Sequence, residues 1–187
     1  MASNVSKPKK AAASSVRKSA KPSAVRSITP FLWFNGQFEA AASFYVTLFP
    51  NSRITSRNGM GGSFNLCGQE FLAIDAGPQY KFSPAVSFFV VCADQKEVDR
   101  LWNALSKGGK PNRCGWIDDK FGLTWQIIPQ RFLELTGDPD PVKVGAVFQA
   151  MMGMGKMEVV GLEAAYAAAG KPAAVKTAVK VKANKSR

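Results

Sequence analysis

ITPFLWFNGQFEAAASFYVTLFPNSRI, residues 28–54, packs a strand, a turn, a helix and the start of a second strand into one short stretch. Phe31 to Phe34 is an apolar, strand-like run, and Asn35–Gly36 is a turn. Phe38, Ala41, Ala42, Tyr45, Leu48 and Phe49 then recur near helical spacing, so one face of a helix is apolar. Pro50–Asn51–Ser52 stops that helix, and a new strand begins at Arg53.

The same plan returns further along. AVSFFVVCA (Ala85 to Ala93) is a strand, Asp94 a helix cap, and Val98, Leu101, Trp102 and Leu105 an apolar stripe that ends at Gly108–Gly109. Between the two helices, short strands are expected over Arg53 to Arg57, Ser63 to Cys67 and Glu70 to Asp75. Gly68–Gln69 is the hairpin turn and Gly77–Pro78 the exit. The second half closes with Gly115 to Asp118, a turn at Asp119–Lys120, and Leu123 to Ile128. A repeated strand–helix–strands unit points to a fold of two similar halves. Beyond it, Asp140 is a helix cap with Pro141 at the first helical position. Val144, Val147, Phe148, Met151 and Met152 follow as an apolar stripe. After a break at Gly153–Gly155, a second helix is expected over about Met157 to Ala168.

Charge divides the chain more sharply than hydropathy does. Of its 25 Lys and Arg residues, 13 lie in residues 1–27 and 168–187, which contain no acid. The other 12 nearly balance the 13 acidic residues, so the formal +12 belongs to the two ends. Those ends, 1–27 and 169–187, are rich in Ala, Ser, Lys and Pro and are read as disordered basic tails. They act as solubilising extensions, or as arms that attract nucleic acid without sequence preference. No aromatic residue interleaves their lysines, so base stacking is not expected. An organellar address is a further reading of 1–27, opposed by the excess of Lys over Arg.

The chain has no histidine, which excludes histidine ligands, histidine bases and Ser–His or Cys–His pairs. Its three cysteines, Cys67, Cys92 and Cys114, form neither a disulfide framework nor a zinc motif. A reducing, cytoplasmic setting is expected, with no secretory signal and no membrane span. Arg113 next to Cys114 would favour a thiolate, but no base accompanies it, and an inert thiol is the plainer reading. Asp118 and Asp119 sit where a turn needs local acceptors.

Four blocks in order carry a resemblance: FLWFNGQFEAAASFYVTLFPNSRI, GQEFLAIDAGPQYKFSPAVSFFVVC, RCGWIDDKFGLTWQIIP and DPDPVKVGAVFQAMMGMGKMEVVGLEAAY. Together they resemble the PhnB-like group of the vicinal oxygen chelate (glyoxalase/bleomycin-resistance) superfamily, often labelled 3-demethylubiquinone-9 3-methyltransferase-like. The resemblance covers about residues 28–168, taken as one domain. It implies an α+β fold of paired βαβββ modules with a C-terminal helical appendage, curved sheets around a cleft, and commonly a homodimer. The apolar stripe from Val142 to Met152 is the expected dimer surface.

In the superfamily, enzymes bind a divalent metal through His and Glu at four strand positions. Carried over, these fall at Thr29 or Pro30, near Asp75 (or Ala73), near Ser87, and at Gln126, four residues after Gly122. Neutral groups dominate that set, so no tightly bound metal and no cofactor are expected. The methyltransferase label finds no support in GMGG (Gly59 to Gly62), which lacks a following helix and reads as a turn between strands.

The candidate cleft residues are therefore Gln126, Asp75, Ser87, Trp116, Trp33 and Phe64. Gln126 would offer an amide to a carbonyl or carboxylate, or else be a satisfied buried amide. The aromatic residues would line a pocket or serve as core. Asp75 would be a base or an arginine partner, or else a cap before Gly77–Pro78. The expected activity is binding of a small organic molecule, with turnover or with sequestration alone; attraction of polyanions through the tails is the alternative.

Overall fold

A computed structural model describes residues 28–170, and the tail readings above lie outside the described residues. Two four-stranded sheets carry the body. The first contains β1 (Phe31–Phe34), β2 (Arg53–Asn58), β3 (Gly61–Leu66) and β4 (Gln69–Asp75), in the order β1-β4-β3-β2. The second contains β5 (Phe88–Cys92), β6 (Lys110–Pro111), β7 (Trp116–Asp118) and β8 (Thr124–Pro129), in the order β5-β8-β7-β6. The first strand of each module runs parallel to the last, and the remaining pairs are antiparallel. Helices α1 (Phe38–Leu48) and α2 (Gln95–Ser106) make the crossovers, so each module is βαβββ.

The alternation of strand side chains gives each sheet two faces. In the first sheet Phe34, Phe64, Phe71 and Ala73 are buried on the face that carries α1. Phe31 and Leu72 pair across the other face and are exposed. In the second sheet Trp125 and Ile127 are buried on the side of α2, whereas Phe89 and Val91 are exposed. The helix-bearing faces turn toward one another. Phe71 meets Phe88 edge-on at 5.1 Å, and Phe49 of the first module stacks on Trp125 of the second at 5.4 Å. One core cluster thus runs through both modules, and both open faces look outward.

A buried carboxylate joins the modules. Asp119, 4 % exposed, accepts from Tyr45 Oη of α1 at 2.7 Å and from Trp125 Nε1 at 2.9 Å. Its other oxygen accepts from the backbone N–H groups of Phe121 (2.8 Å) and Leu123 (3.0 Å). The Asp119 turn expected from sequence is present. Its carboxylate also reaches across the chain to Tyr45, which sequence did not indicate.

GMGG straddles the β2–β3 turn, and its last two glycines begin β3. A Cβ at Gly61 (φ +149°) would lie 2.2 Å from Ala73 O, and one at Gly62 would lie 2.2 Å from Ser56 O and 2.9 Å from the Phe38 ring. These glycines permit close backbone and helix packing.

Three helices follow the second sheet: α3 (Gln130–Thr136), α4 (Pro141–Met152) and α5 (Val159–Ala169). Asp140 caps α4 through a bond from Val142 N at 2.9 Å, as expected. Helix α3 was not anticipated; it starts directly after Pro129, without a loop or a capping side chain to announce it. These helices pack on Ile128 through Phe132, Leu135, Val147 and Leu162, together with Met157 from the link between α4 and α5. Val147 is fully buried and Phe148 lies edge-on to Phe132, so the appendage itself uses part of the 142–152 stripe.

Burial first, and then the Asp119 carboxylate, push the Tyr45 hydroxyl well above the usual tyrosine range. Folding therefore holds this group protonated. Its contribution is complete below the unfolded tyrosine pKa of about 10 and fades as pH rises through and beyond that value. Tyr45→Phe should lower stability by about 1–3 kcal/mol near neutral pH. Above about pH 10 the variant's melting temperature should fall less steeply than the parent's. Equal slopes in calorimetry at alkaline pH would show that the hydroxyl is not held as described.

Candidate functional site

On the open face of the second sheet, parallel pairing places Phe89 beside Gln126, and antiparallel pairing sets Trp116 on the other side of the same glutamine. Ser87 lies two residues before Phe89 on the same face, and its Oγ accepts from Gln126 Nε2 at 2.8 Å. Three of the six expected residues, Gln126, Ser87 and Trp116, thus come together. Phe89 and Val91 add apolar surface beside them. The bond to Ser87 fixes the amide so that Gln126 Oε1 remains as an acceptor, flanked by an indole.

Trp33 lies on the open face of the first sheet, paired with Ile74. Its Nε1 donates to Gly77 O at 2.9 Å, and its ring meets Tyr80 edge-on at 4.9 Å. Phe64 is on the opposite face, fully buried, stacked on Phe71 at 5.1 Å and next to Tyr45. It belongs to the packing between modules and has no surface to offer a ligand.

Asp75 ends β4 on the helix-bearing side. Its carboxylate accepts from Gln37 N at 2.9 Å and Phe38 N at 3.1 Å, the first free amides of α1. Gln37, at the cap position, makes no capping bond of its own. A carboxylate from a distant strand therefore closes this helix end, where the dipole also favours negative charge. The sequence reading placed a cap here for the Gly77–Pro78 turn; the structure directs it to α1.

The four positions that hold metal in the superfamily do not assemble a donor set. Gln126 and Ser87 are neutral and bonded to one another, and Asp75 is engaged at the α1 terminus. Among the described residues no group of three or more His, Cys, Asp or Glu side chains could hold a metal ion. The residues present do not fit the superfamily's metal.

Cys92 is buried, and burial, reinforced by Glu97, pushes its thiol up to about 12, so it is no nucleophile at neutral pH. Cys114 adopts φ +58°, with its Sγ 3.7 Å from Met151 O and 3.9 Å from Met152 Sδ. Neither of these neighbours is a base.

Sequence reasoning missed a polar group on the open face of the first sheet. Thr55 Oγ1 donates to Glu70 Oε1 at 2.7 Å, and Ser63 Oγ lies 2.7 Å from Thr55 Oγ1 and 2.8 Å from Ser56 Oγ. A register shift between Ile54 and Ser56 brings two consecutive hydroxyls to Ser63. The polar run ITSRN facing GGSFN was the signal for this group. An open depression of about 610 Å³ adjoins it, lined among others by Phe31, Ser56, Asn58, Met60, Leu72 and Ile74.

Removing the Asp75 carboxylate tests its capping role. Asp75→Ala should cost about 1–2 kcal/mol of stability, and Asp75→Asn less, because an amide oxygen still accepts. Thermal unfolding reads this directly; an unchanged midpoint in Asp75→Ala would leave the carboxylate without a structural role.

With the geometry established, comparison with known proteins places the chain. The family described as 3-demethylubiquinone-9 3-methyltransferase matches residues 26–128, more than half of the 187 residues. A solved structure of a putative 3-demethylubiquinone-9 3-methyltransferase, PhnB protein, from Bacillus cereus is 32 % identical, with a TM-score of 0.52 over 56 % of this chain and 99 % of that one. A glyoxalase/bleomycin resistance protein from Albidiferax ferrireducens T118 is 13 % identical, with a TM-score of 0.41 over 56 % of this chain and 99 % of that one. A glyoxalase-related enzyme from Fulvimarina pelagi is 16 % identical, with a TM-score of 0.42 over 63 % of this chain and 91 % of that one. No curated protein matches. The match to the family ends inside β8, so α3 to α5 lie beyond it. The chain belongs to the 3-demethylubiquinone-9 3-methyltransferase-like (PhnB) family.

Proposed function

We propose that the protein binds a small organic molecule on its open sheet faces, and that a second copy of the chain closes the cleft. The observation that carries this reading is the placement of apolar side chains on outward faces. Phe31 is 59 % exposed, Phe89 51 %, Val91 45 % and Leu72 41 %, around the Ser87–Gln126–Trp116 group and the hydroxyl group of the first sheet. Isolated exposed apolar residues need no explanation, but a set gathered on two sheet faces does. Fixed polar groups set among apolar walls are the usual makeup of a ligand site.

The second copy follows from the edges. Both sheets have the same strand order, so β1 and β5 occupy equivalent outer places, and neither is paired on its free side among the described residues. Both are short and apolar, FLWF and FFVVC. Joining β1 of one copy to β5 of the other would cover both edges and draw the two kinds of open face into one trough. The fold's own contacts cannot enclose such a trough, since within one chain the open faces point apart. Val142, Phe148 and Met152 of α4 are exposed as well, so the 142–152 stripe offers a further surface for the second copy.

Turnover and sequestration remain two outcomes of the same site. Catalysis would proceed without the superfamily's metal, by orientation and hydrogen bonding at Gln126 and its neighbours. Three free thiols accord with a cytoplasmic setting. Among the described residues no helix is long and apolar enough to cross a membrane.

A thermal-shift screen of small organic molecules, followed by calorimetry on the hits, tests the reading. Gln126→Leu should weaken binding about tenfold while keeping the dimer. Phe89→Glu should give monomers by light scattering and weaken binding as well. Hits indifferent to both changes, or a Phe89→Glu protein that stays dimeric with full affinity, would refute the shared cleft. Assay of bound hits for chemical change then separates enzyme from sequestering protein.

The concentration of 13 cationic side chains in 1–27 and 168–187 favours a second activity, non-specific attraction of nucleic acid. If roughly six phosphates are engaged, log affinity should fall with log salt at a slope of about −5. Deleting both segments should abolish this binding and leave small-molecule affinity intact; retained binding would place the contact on the body.

A further inference from the structure

The direction of the hydrogen bonds in the first sheet's hydroxyl group follows from counting protons. Each hydroxyl has one proton to give and two lone pairs to receive with. Glu70 is an acceptor, so Thr55 must spend its proton there, over 2.7 Å. Ser63, 2.7 Å from Thr55 Oγ1, can then only donate to it. Ser56, 2.8 Å from Ser63 Oγ, must in turn donate to Ser63. The chain runs one way, from Ser56 through Ser63 and Thr55 to Glu70. Ser63 is 7 % exposed, so its bonds are shielded from water. Aligned bonds of this kind polarise one another toward the carboxylate.

Ser56 is the end that reaches a cavity. With its proton committed to Ser63, its Oγ offers lone pairs alone to the depression lined by Phe31, Asn58, Met60, Leu72 and Ile74. Asn58 lines the same space. Its Oδ1 accepts from Met60 N at 2.9 Å, which leaves its Nδ2 hydrogens as donors. An acceptor and a donor thus face one apolar floor.

We propose that this depression is a subsite for the hydroxyl of a mostly apolar alcohol or phenol. The ligand's O–H donates to Ser56 Oγ, its oxygen accepts from Asn58 Nδ2, and its carbon skeleton lies on Phe31, Leu72 and Ile74. Glu70 is a positioning residue: it does not line the depression, and it acts by fixing which way the hydroxyls point. An ether or ketone of the same shape finds no donor at Ser56 and loses that bond. The inference rests on the open-face binding reading and adds the class of ligand group taken at the first sheet.

Benzyl alcohol and benzyl methyl ether are suitable probes, alike in skeleton and different in the donor. Titration of the full-length protein, followed by amide shifts of Asn58, Met60 and Leu72, should show the alcohol binding about three- to tenfold tighter than the ether. Ser56→Ala should bring the alcohol to the level of the ether. Glu70→Met should narrow the preference toward unity, because the three hydroxyls are then free to reverse. A merely structural role for Glu70 would leave the preference untouched, and that result overturns the inference. Equal affinity of the two probes in the parent overturns it too, while the open-face reading stands. If neither probe moves these amides the inference is overturned as well, and the open-face reading is then judged by its own screen and the Gln126→Leu variant.

Discussion

Asp119 is the constraint on which the two-module body depends. A carboxylate removed from water is costly unless several donors surround it. Here two donors come from its own turn, one from Trp125 of β8, and one from Tyr45 of α1 in the other module. The first three can form within the second module alone. The fourth requires α1 to lie against it, so the buried charge reports whether the modules are docked. Aromatic rings around Tyr45, including Phe64, Phe121 and Trp125, then fill the space that the pair leaves. The aromatic wealth of the chain is used mainly here, between modules.

Because the helix-bearing faces pack on one another, the opposite faces are left open. The same packing that stabilises the body sends Gln126 and Ser87 outward on one sheet and the Ser56–Glu70 chain outward on the other. It also sets the two faces apart, so the proposed cleft would use both only with a second copy. Helices α3 to α5, beyond the family's span, buttress the second module. Cys114 N and Gly115 N donate to Met154 O and Gly155 O, and Gln95 bonds Val159 N and Met157 O. This appendage is tied to α2 and to the loop before β7, and the first module has no counterpart among the described residues.

The two sheets differ in their polar chemistry. The second offers an amide held by a serine beside an indole; the first offers hydroxyls oriented by a carboxylate. Glu70 is a lone carboxylate, and among the described residues no group of three or more His, Cys, Asp or Glu side chains gathers to hold a metal ion. Family membership therefore fixes the scaffold, while the side chains on the open faces set the chemistry, which is the general relation of fold to function.

Much of the architecture was legible in the sequence for local reasons. Apolar residues at helical spacing gave α1 and α2, Asp94 and Asp140 marked helix starts, and the recurrence of strand–helix–strands gave two modules. The two-residue β6 and the uncapped α3 carried too little periodic signal to be seen. Ser87 and Gln126 were nameable because the resemblance located them, and Trp116 because it stands at an element's edge between Cys114–Gly115 and two aspartates, yet their mutual contact depends on strand register. What only the tertiary structure decided depends on residues far apart in the chain. Asp75 caps a helix 37 residues earlier, Phe64 turns inward rather than toward a ligand, and Tyr45 finds Asp119 across 74 residues. Local spacing says which side chains share a face; it does not say what that face will meet, because that choice is made by docking of the two modules.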